Sequence, residues 1–299
     1  WTPNSEPTLK FIDFKLGNVC NLKCRICGSW SSSKWAQEEI DYETAKGGDN
    51  PLARKQLREG GWPKKNPQFF EELQEDLKHV EYFEFTGGEP FMIKDHFKIL
   101  MHCVEKGYAK NIDIHYNTNG TQWPDAHELW SHFKRVDIAF SIDNVGERFE
   151  YERYGAKWSE VEENIRRFHK LRDRNIGKVT TQVCMTINTQ NVYYLEELCD
   201  WVNTQTFNDH YFNMLHDPKH MCIDGLTPVA KRIVIEKLLN GNFMPKHKAE
   251  IMRIVKFIEN GAGTNGEEFV FKMQQTDRYR KESFLDTHPE IAKAMGYET

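Results

Sequence analysis

The chain has 299 residues, of which 39% are hydrophobic and 13% aromatic, enough for a large core and too many for a disordered chain. Its 40 basic and 45 acidic residues give a net charge of −5, which does not favour a polyanion-binding surface, so we expect no nucleic-acid partner. No run of about 18 apolar residues predicts a membrane-spanning helix, and no leader of a signal peptide follows Trp1.

Short apolar runs alternate with helical patterns along most of the chain. The predicted strands are 11–16, 81–86, 111–116, 136–142, 178–187 and 209–215, and the predicted helices are 33–40, 69–79, 94–106, 124–133, 158–173 and 192–204. The polar, glycine-containing region 41–66 is interpreted as a surface excursion. Six strands separated by helices predict an α/β fold with a parallel sheet over residues 1–216. Residues 217–299 predict a mostly helical extension, with helices at 227–240 and 247–260, a glycine-rich turn at 261–266 and a basic tail.

Three predicted strands have one apolar and one polar face. In strand 111–116, Ile112, Ile114 and Tyr116 alternate with polar residues, and strands 136–142 and 178–187 repeat the pattern. Helices on both sides of a sheet would require two apolar faces, and a closed eight-stranded barrel has a packed apolar interior. The pattern therefore predicts a partial (β/α)6 barrel with a polar lumen. The alternative is a set of edge or bulged strands whose polar face meets solvent.

Seven cysteines are present, and three of them form a C-x3-C-x2-C pattern after the first strand: Cys20, Cys24 and Cys27. An odd number in a chain of this size argues against a disulfide framework and favours a metal or redox site in a reducing compartment, so we expect a cytoplasmic protein. Thiolates ligate iron–sulfur clusters, and three of them leave the fourth iron of a cubane open. A zinc site, which usually needs a second cysteine pair, and a buried helix face with i, i+4, i+7 spacing are the alternatives.

The second strand is followed by Thr86-Gly87-Gly88-Glu89-Pro90. A three-cysteine loop with this segment one βα unit later resembles the radical S-adenosylmethionine (SAM) enzyme superfamily, over residues 8–216. In that family a GGEP motif holds the amino group of SAM through its backbone and its acidic residue. The chemistry is reasonable, because glycines permit a close backbone approach and a carboxylate accepts from an ammonium group. The resemblance therefore implies cofactor contacts from Gly87, Gly88 and Glu89.

Further matches lie at the carboxyl ends of the next strands, where parallel α/β folds place their sites. Residues 117–120, Asn-Thr-Asn-Gly, resemble the family's TNG segment, from which we select Asn117. Ser141 and Asp143 resemble the strand end whose polar groups approach the SAM ribose. Arg153 resembles an arginine that meets the methionine carboxylate, a role that suits a guanidinium group. The alternatives are a surface ion pair of Arg153 with Glu150 or Glu152 and, for the other two, a hydrogen-bonded strand end.

The chain is most similar to the branch whose C-terminal SPASM or twitch extension often binds additional clusters. Cys222 is the only cysteine after the barrel, and one cysteine cannot hold a second cubane. We therefore expect an extension without an auxiliary cluster, unless its ligands lie outside these 299 residues. The chain also differs from the family pattern at Ile26, where the family often has an aromatic residue.

The resemblance implies a [4Fe–4S] cluster on the three cysteines, with SAM bound at the fourth iron. One electron, from a donor such as flavodoxin or ferredoxin, would split SAM into methionine and a 5′-deoxyadenosyl radical that takes hydrogen from a substrate. Relatives with such extensions often modify peptides, so a peptide is the first expectation. The same chemistry on a sugar, nucleotide or other metabolite, and a non-catalytic iron–sulfur redox protein, are the alternatives.

The substrate would lie over the polar lumen. Cys184 is the catalytic candidate there, because a lumen thiol could return a hydrogen atom to a substrate radical; the alternative is a small residue that fills the strand. We expect Asp113 and Glu84 to pair with Lys15 inside the barrel. The basic stretch 278–281 predicts a solvated helix face. Further candidate lumen contacts are Asp113, His115, Gln182, Asn188, Asn213 and His216.

Overall fold

The structure is a computed structural model that describes residues 8–175 and 178–298. Residues 1–7, in which we expect no signal peptide, lie outside the described residues. Residues 176–177 and 299 also lie outside them. Within the described ranges no helix has the length and apolar character needed to cross a membrane.

Six parallel strands form one sheet and follow one another in sequence order across it. They are β1 (Phe11–Lys15), β2 (Tyr82–Thr86), β3 (Asp113–Thr118), β4 (Arg135–Ser141), β5 (Val179–Ile187) and β6 (Asp209–Met214). In the described part of the chain, β1 and β6 each pair on one side only, so the sheet is not closed. This confirms the predicted partial barrel of parallel strands.

Helices connect the strands as predicted, with one exception. They are α1 (Ser33–Ala45), α2 (Pro51–Glu59), α3 (Trp62–Lys65), α4 (Pro67–Asp76), α5 (Asp95–Glu105), α6 (Gly146–Glu152), α7 (Trp158–Arg174) and α8 (Leu195–Thr204). Between β3 and β4, the predicted helix 124–133 is instead a 3₁₀ segment, His127–His132. Such geometry is common in short connections, and here the fully buried Trp130 anchors the segment to the core.

Residues 41–66, interpreted as a surface excursion, are mostly exposed but helical, which was not predicted. α1 continues to Ala45, and α2 and α3 occupy most of the rest. The Asn50 side chain caps α2 by accepting a hydrogen bond from the Ala53 backbone nitrogen (3.0 Å), and Pro51 occupies the first turn. Only Ala53 of α2 is buried, so the helix has too few apolar residues to show a helical pattern.

The apolar strand faces form the core beneath the sheet. Ile114, Ile138, Phe140 and Val183 are completely buried, as their alternation with polar residues predicts. Tyr116 stacks on Phe85 with ring centroids 4.9 Å apart. The opposite face is mostly half-buried and polar, which gives the lumen its chemistry.

The C-terminal residues are helical almost to the chain end. The elements are α9 (Pro228–Asn240), α10 (Lys248–Asn260), α11 (Gly266–Arg280), α12 (Phe284–Thr287) and α13 (Pro289–Met295). The segment that we expected to be a basic tail is therefore mostly helical, as α11, α12 and α13. The solvated face predicted at 278–281 is wrong for Arg280, which is buried, whereas Arg278 is exposed.

Candidate functional site

The three cysteines lie on the connection between β1 and α1, outside any helix. Cys20 and Cys24 are buried and Cys27 is half-buried, and all three thiols are free. Lys23 and Cys24 pair antiparallel with Arg153 and Tyr154, which fixes the loop to the segment after α6. The alternative of a buried helix face is therefore wrong.

A buried asparagine ahead of the first cysteine holds the base of this loop. The Asn18 side chain donates to the carbonyl oxygens of Ser29 (2.7 Å) and Gln56 (3.2 Å). Its backbone nitrogen donates to the Gly60 carbonyl oxygen (3.1 Å). The region expected to be an excursion thus supports the cysteine loop. Sequence reasoning missed Asn18, for which proximity to Cys20 was the available signal.

The glycine motif after β2 contacts the cysteine loop through its backbone. Gly88 has φ +57°, and a Cβ atom there would lie 2.5 Å from the Val19 carbonyl oxygen. The Glu89 backbone nitrogen donates to that same oxygen (2.8 Å). Gly87 also has positive φ, and a Cβ there would meet the Lys15 side chain. Only glycine fits this approach without strain, which agrees with the close contact that the motif implies.

The Glu89 side chain is completely buried and points back to the end of β3. Its carboxylate accepts hydrogen bonds from the Thr118 hydroxyl (2.7 Å) and the Asn119 backbone nitrogen (2.8 Å). Burial raises the pKa of Glu89 to about 7, against the effect of these hydrogen bonds. Both oxygens are thus engaged in joining the ends of β2 and β3.

The two asparagines of the segment after β3 have different surroundings. Asn117 faces the lumen, where it donates to Glu84 Oε1 (2.8 Å) and accepts from the Tyr211 hydroxyl (3.3 Å). Asn119 instead lies at the cysteine loop and donates to Cys20 Sγ (3.7 Å). We selected only Asn117 from this segment and so missed Asn119, because strand alternation alone does not show which residue reaches a neighbouring loop.

A buried ion pair lies beside the second cysteine. Arg153 Nη2 pairs with Asp143, and Nη1 donates to Cys24 Sγ (3.7 Å). Asp143 also accepts from the Thr186 backbone nitrogen (2.9 Å). Burial by itself would lower the pKa of Arg153, but Asp143 and the thiols of Cys24 and Cys27 together raise it. The alternative of a surface ion pair with Glu150 or Glu152 is wrong.

Arg153 also has one unused donor. Its Nε atom is buried and has no hydrogen-bond partner among the described residues. A buried guanidinium donor without an acceptor is costly, so it favours the binding of an anionic group at this position. Ser141 lies nearby, half-buried at the end of β4 and paired in register with Cys184.

The lumen face carries a second group of polar side chains. Cys184 is buried there and is paired in register with Tyr211 of β6, and burial raises the pKa of the Cys184 thiol. Tyr211 was missed, although its alternation with the buried Phe212 and Met214 in β6 was the available signal. Gln182 and His115 approach each other to 3.5 Å.

Three expectations about lumen residues are corrected. Asp113 pairs with Lys134 (2.8 Å) and Glu84 bonds to Asn117, so the predicted network with Lys15 is wrong. Asn188 is fully buried in the loop after β5, where its side chain donates to the Thr186 carbonyl oxygen (3.0 Å). It therefore supports a loop and does not face the lumen.

The remaining scattered cysteines pack into the protein, and Cys27 is open to a cavity. Cys103 and Cys199 are buried in α5 and α8, as predicted. Cys27 and Trp30 line a cavity of about 440 Å³ between the cysteine loop, α1 and α11. Solvent can therefore reach the loop through this cavity.

The thiols differ in their tendency to ionise. Burial raises the pKa of Cys20 to about 12. The hydrogen bond from the Cys27 thiol lowers the pKa of Cys24, against burial and with help from Arg153, and the same hydrogen bond raises that of Cys27.

In residues 8–175 and 178–298, no three His, Cys, Asp or Glu side chains surround a single ion position. A zinc site needs such convergence, whereas the thiolates of a cubane ligate separate irons.

A family model described as the radical SAM superfamily matches residues 14–202. This chain belongs to the radical SAM superfamily. The cofactors of this superfamily are a [4Fe–4S] cluster and SAM. A search of curated proteins finds no match.

Several solved structures resemble the chain. The structure of native anSMEcpe with bound AdoMet has a TM-score of 0.49 and 20% identity, and the match covers 78% of this chain and 62% of that one. Native anSMEcpe with bound AdoMet and Cp18Cys peptide has a TM-score of 0.46 and 19% identity, with 79% and 62% covered. Streptococcus suis SuiB bound to S-adenosylmethionine has a TM-score of 0.44 and 16% identity, with 78% and 47% covered. The chain thus spans less than two thirds of these proteins' lengths.

The residues present fit the two cofactors of the family. Three free thiols lie on one loop, and the glycine backbone after β2 approaches that loop more closely than any other residue type would allow. The unpartnered Nε of Arg153 suits a carboxylate.

Proposed function

We propose that Cys20, Cys24 and Cys27 ligate the cluster and that SAM binds beside them, between the motif after β2 and Arg153. The observation that carries this proposal is the position of the Arg153 guanidinium, which is buried against Cys24 Sγ with one donor still unused. A group that binds both the cluster and this arginine needs an anionic end. The carboxylate of SAM has the required charge and shape for a guanidinium donor.

The other contacts to SAM would come from strand ends that surround the same loop. We assign the amino group to the backbone of Gly87 and Gly88, because these residues lie closest to the loop. Glu89 keeps that backbone in place through its bonds to Thr118 and Asn119. Asp143 orients Arg153, and we assign Ser141, at the end of β4, to the ribose, as the family resemblance implies. Asn117 is retained from the family motif, as a contact on the lumen side.

When bound, the cluster and SAM supply an electron and a 5′-deoxyadenosyl radical that removes a hydrogen atom from the substrate. The protein contributes position and exclusion of water. Asp143 and Arg153 form a buried ion pair whose geometry is set before any ligand binds, since Asp143 is itself held by the Thr186 backbone. Such preorganisation reduces the reorganisation needed on binding.

We further propose that the substrate is a peptide and lies over the lumen, with Cys184 as the residue that returns a hydrogen atom. The thiyl radical that this step would leave on Cys184 is then restored to the thiol by one electron from a low-potential donor of the class that reduces the cluster and one proton from solvent. The sheet is open between β1 and β6 in the described part of the chain, and an open edge of this kind suits an extended substrate. The lumen offers a row of amide, carboxylate and hydroxyl groups from four strands, suited to the polar groups of a peptide: Glu84, His115, Asn117, Gln182 and Tyr211.

The test of the cofactor site is anaerobic SAM cleavage. The reconstituted protein is given SAM and dithionite, and 5′-deoxyadenosine is quantified. We expect the Cys24→Ala variant to form none, because three thiolates are needed to hold the cluster. The matched control is Cys222→Ala, which removes a buried cysteine far along the chain from the loop. Equal product from Cys24→Ala and wild type would refute the ligand assignment.

The substrate class needs a separate test. Deoxyadenosine formation is measured with a pool of synthetic decapeptides that covers all side chains, and with a pool of sugars and nucleotides at equal concentration. We expect the peptide pool to raise the rate of deoxyadenosine formation and, when the reaction is run in D2O, to contain a product that carries deuterium. Stimulation by the sugars and nucleotides alone would instead establish a small metabolite as the substrate.

A further inference from the structure

Arg25 stands directly after Cys24, and its side chain leaves the cysteine loop toward the C-terminal helices. Its Nη2 donates to Asp277 Oδ1 (2.6 Å) and Glu282 Oε2 (2.8 Å), and its Nε donates to the Tyr151 carbonyl oxygen (3.1 Å). The guanidinium carbon lies 3.7 Å from the centroid of the Tyr151 ring. Arg25 is only 4% exposed, so these contacts are shielded from water.

Asp277, on α11, is the centre of this arrangement. Besides Arg25, it accepts hydrogen bonds from the hydroxyls of Tyr151 (2.8 Å) and Tyr297 (2.6 Å) and from the Phe284 backbone nitrogen (2.8 Å). A buried carboxylate with donors on both oxygens has a fixed orientation. One side chain thus joins the cysteine loop, α6, α12 and the residues after α13.

A second buried ion pair reaches the loop on the other side of Cys24. Arg280, one turn further along α11, donates to Glu38 Oε1 of α1 (2.9 Å). Glu38 in turn pairs with Lys23, the residue before Cys24. The two neighbours of Cys24 are therefore both linked to α11, Arg25 directly and Lys23 through Glu38.

We propose that α11 is a positioning element for the cluster, through Asp277 and Arg280. The two residues of regular structure in the loop fix it to the segment after α6, but they place no constraint on it relative to the C-terminal helices. Ion pairs to a packed helix supply that constraint. Partners that orient metal ligands commonly change metal affinity or activity 10–100-fold when they are replaced. The inference rests on the proposed ligand role of the three cysteines.

The experiment measures how fast an iron chelator removes iron from the reconstituted protein, without SAM or substrate. Asp277→Asn keeps the shape of the side chain and removes its charge. We expect iron release about tenfold faster than in wild type, at a temperature where circular dichroism shows a folded protein. Asp286→Asn in α12 makes the same chemical change at an exposed position and is expected to release iron at the wild-type rate. The half-exposed Cys27 gives the chelator access in all variants.

Release from Asp277→Asn at the wild-type rate, together with a lower melting temperature, would overturn the proposal, since Asp277 would then support only the fold. Should Asp277→Asn not fold, Arg25→Lys replaces it, because lysine keeps the charge without the planar fork of donors. Fast release is expected from that variant as well, and wild-type release would overturn the proposal. A Cys24→Ala variant that keeps its full iron content would refute the ligand assignment itself, and with it this inference. A negative result in the peptide-substrate test alone would not bear on the positioning role of α11, because iron release is measured without substrate.

Discussion

The surroundings of the cysteine loop and the lumen face of the sheet are both polar, but they are built differently. Around the loop, Arg25, Arg153 and Arg280 are buried and each pairs with a buried carboxylate. On the lumen face, Glu84 and Gln182 are half-buried and bond to neutral or weakly charged neighbours. Buried pairs hold one geometry, whereas half-exposed groups can exchange partners with a ligand. The first region is suited to holding cofactors and the second to accepting a substrate.

The largest effect is expected from breaking the ion pair beside Cys24. Arg153→Met would leave Asp143 buried without its cation, which typically costs about 3–5 kcal/mol of unfolding free energy. We expect a lower midpoint of denaturant unfolding and loss of SAM binding by isothermal titration. Arg166→Met, which removes an exposed arginine from α7, is the control and is expected to change neither. Normal SAM affinity in Arg153→Met would contradict the assigned carboxylate contact.

A smaller effect is expected where the glycine motif meets the loop. In Gly88→Ala the new Cβ would lie 2.5 Å from the Val19 carbonyl oxygen, so we expect SAM affinity to fall at least about tenfold. Gly107→Ala is the matched control, because Gly107 also has positive φ but nothing lies near its Cβ position. That control should lose about 1–2 kcal/mol of stability and keep its SAM affinity. Equal SAM affinity in both variants would show that the close approach is unimportant.

Cys184 offers a way to test the lumen directly. A thiol exchanges its hydrogen with solvent, so a product formed by wild type in D2O should carry one deuterium if Cys184 returns the hydrogen atom. We expect Cys184→Ala to lose this incorporation while still forming deoxyadenosine. Cys199→Ala, which removes a buried cysteine of α8, should incorporate deuterium as wild type does. Unchanged incorporation in Cys184→Ala, measured by mass spectrometry, would leave Cys184 as a residue that merely fills the strand.

The smallest effect concerns the pH dependence of stability. Burial raises the pKa of Glu84 above its ordinary value, so the folded state keeps this proton to higher pH than the unfolded state. Stability therefore falls as pH rises from the ordinary pKa of glutamate through the raised one. We expect Glu84→Gln to flatten this part of the profile, measured by urea unfolding between about pH 4 and about pH 7. An identical profile in the variant would contradict the raised pKa.

Much of the fold could be predicted because its signals are local. The alternation of Ile112, Ile114 and Tyr116 with polar residues predicted both the buried and the lumen face of β3, and the structure confirms this. The helices at 51–59 and 62–65 could not be predicted, because they bury few apolar side chains and begin at prolines and polar caps. Patterns of burial cannot reveal a helix that buries almost nothing.

The candidate site shows the same division. The cysteine spacing and the glycine motif are short, contiguous patterns whose chemistry can be inferred without knowledge of the tertiary structure. They led to the right superfamily. The sequence by itself therefore determined the family, the cofactors and the polar lumen. Only the tertiary structure decided that Asn119 rather than Asn117 reaches Cys20, and that Arg25 meets Asp277 from 252 residues away. Such contacts depend on how distant helices pack. The sequence pattern around a charged residue does not show which distant residue it will pair with.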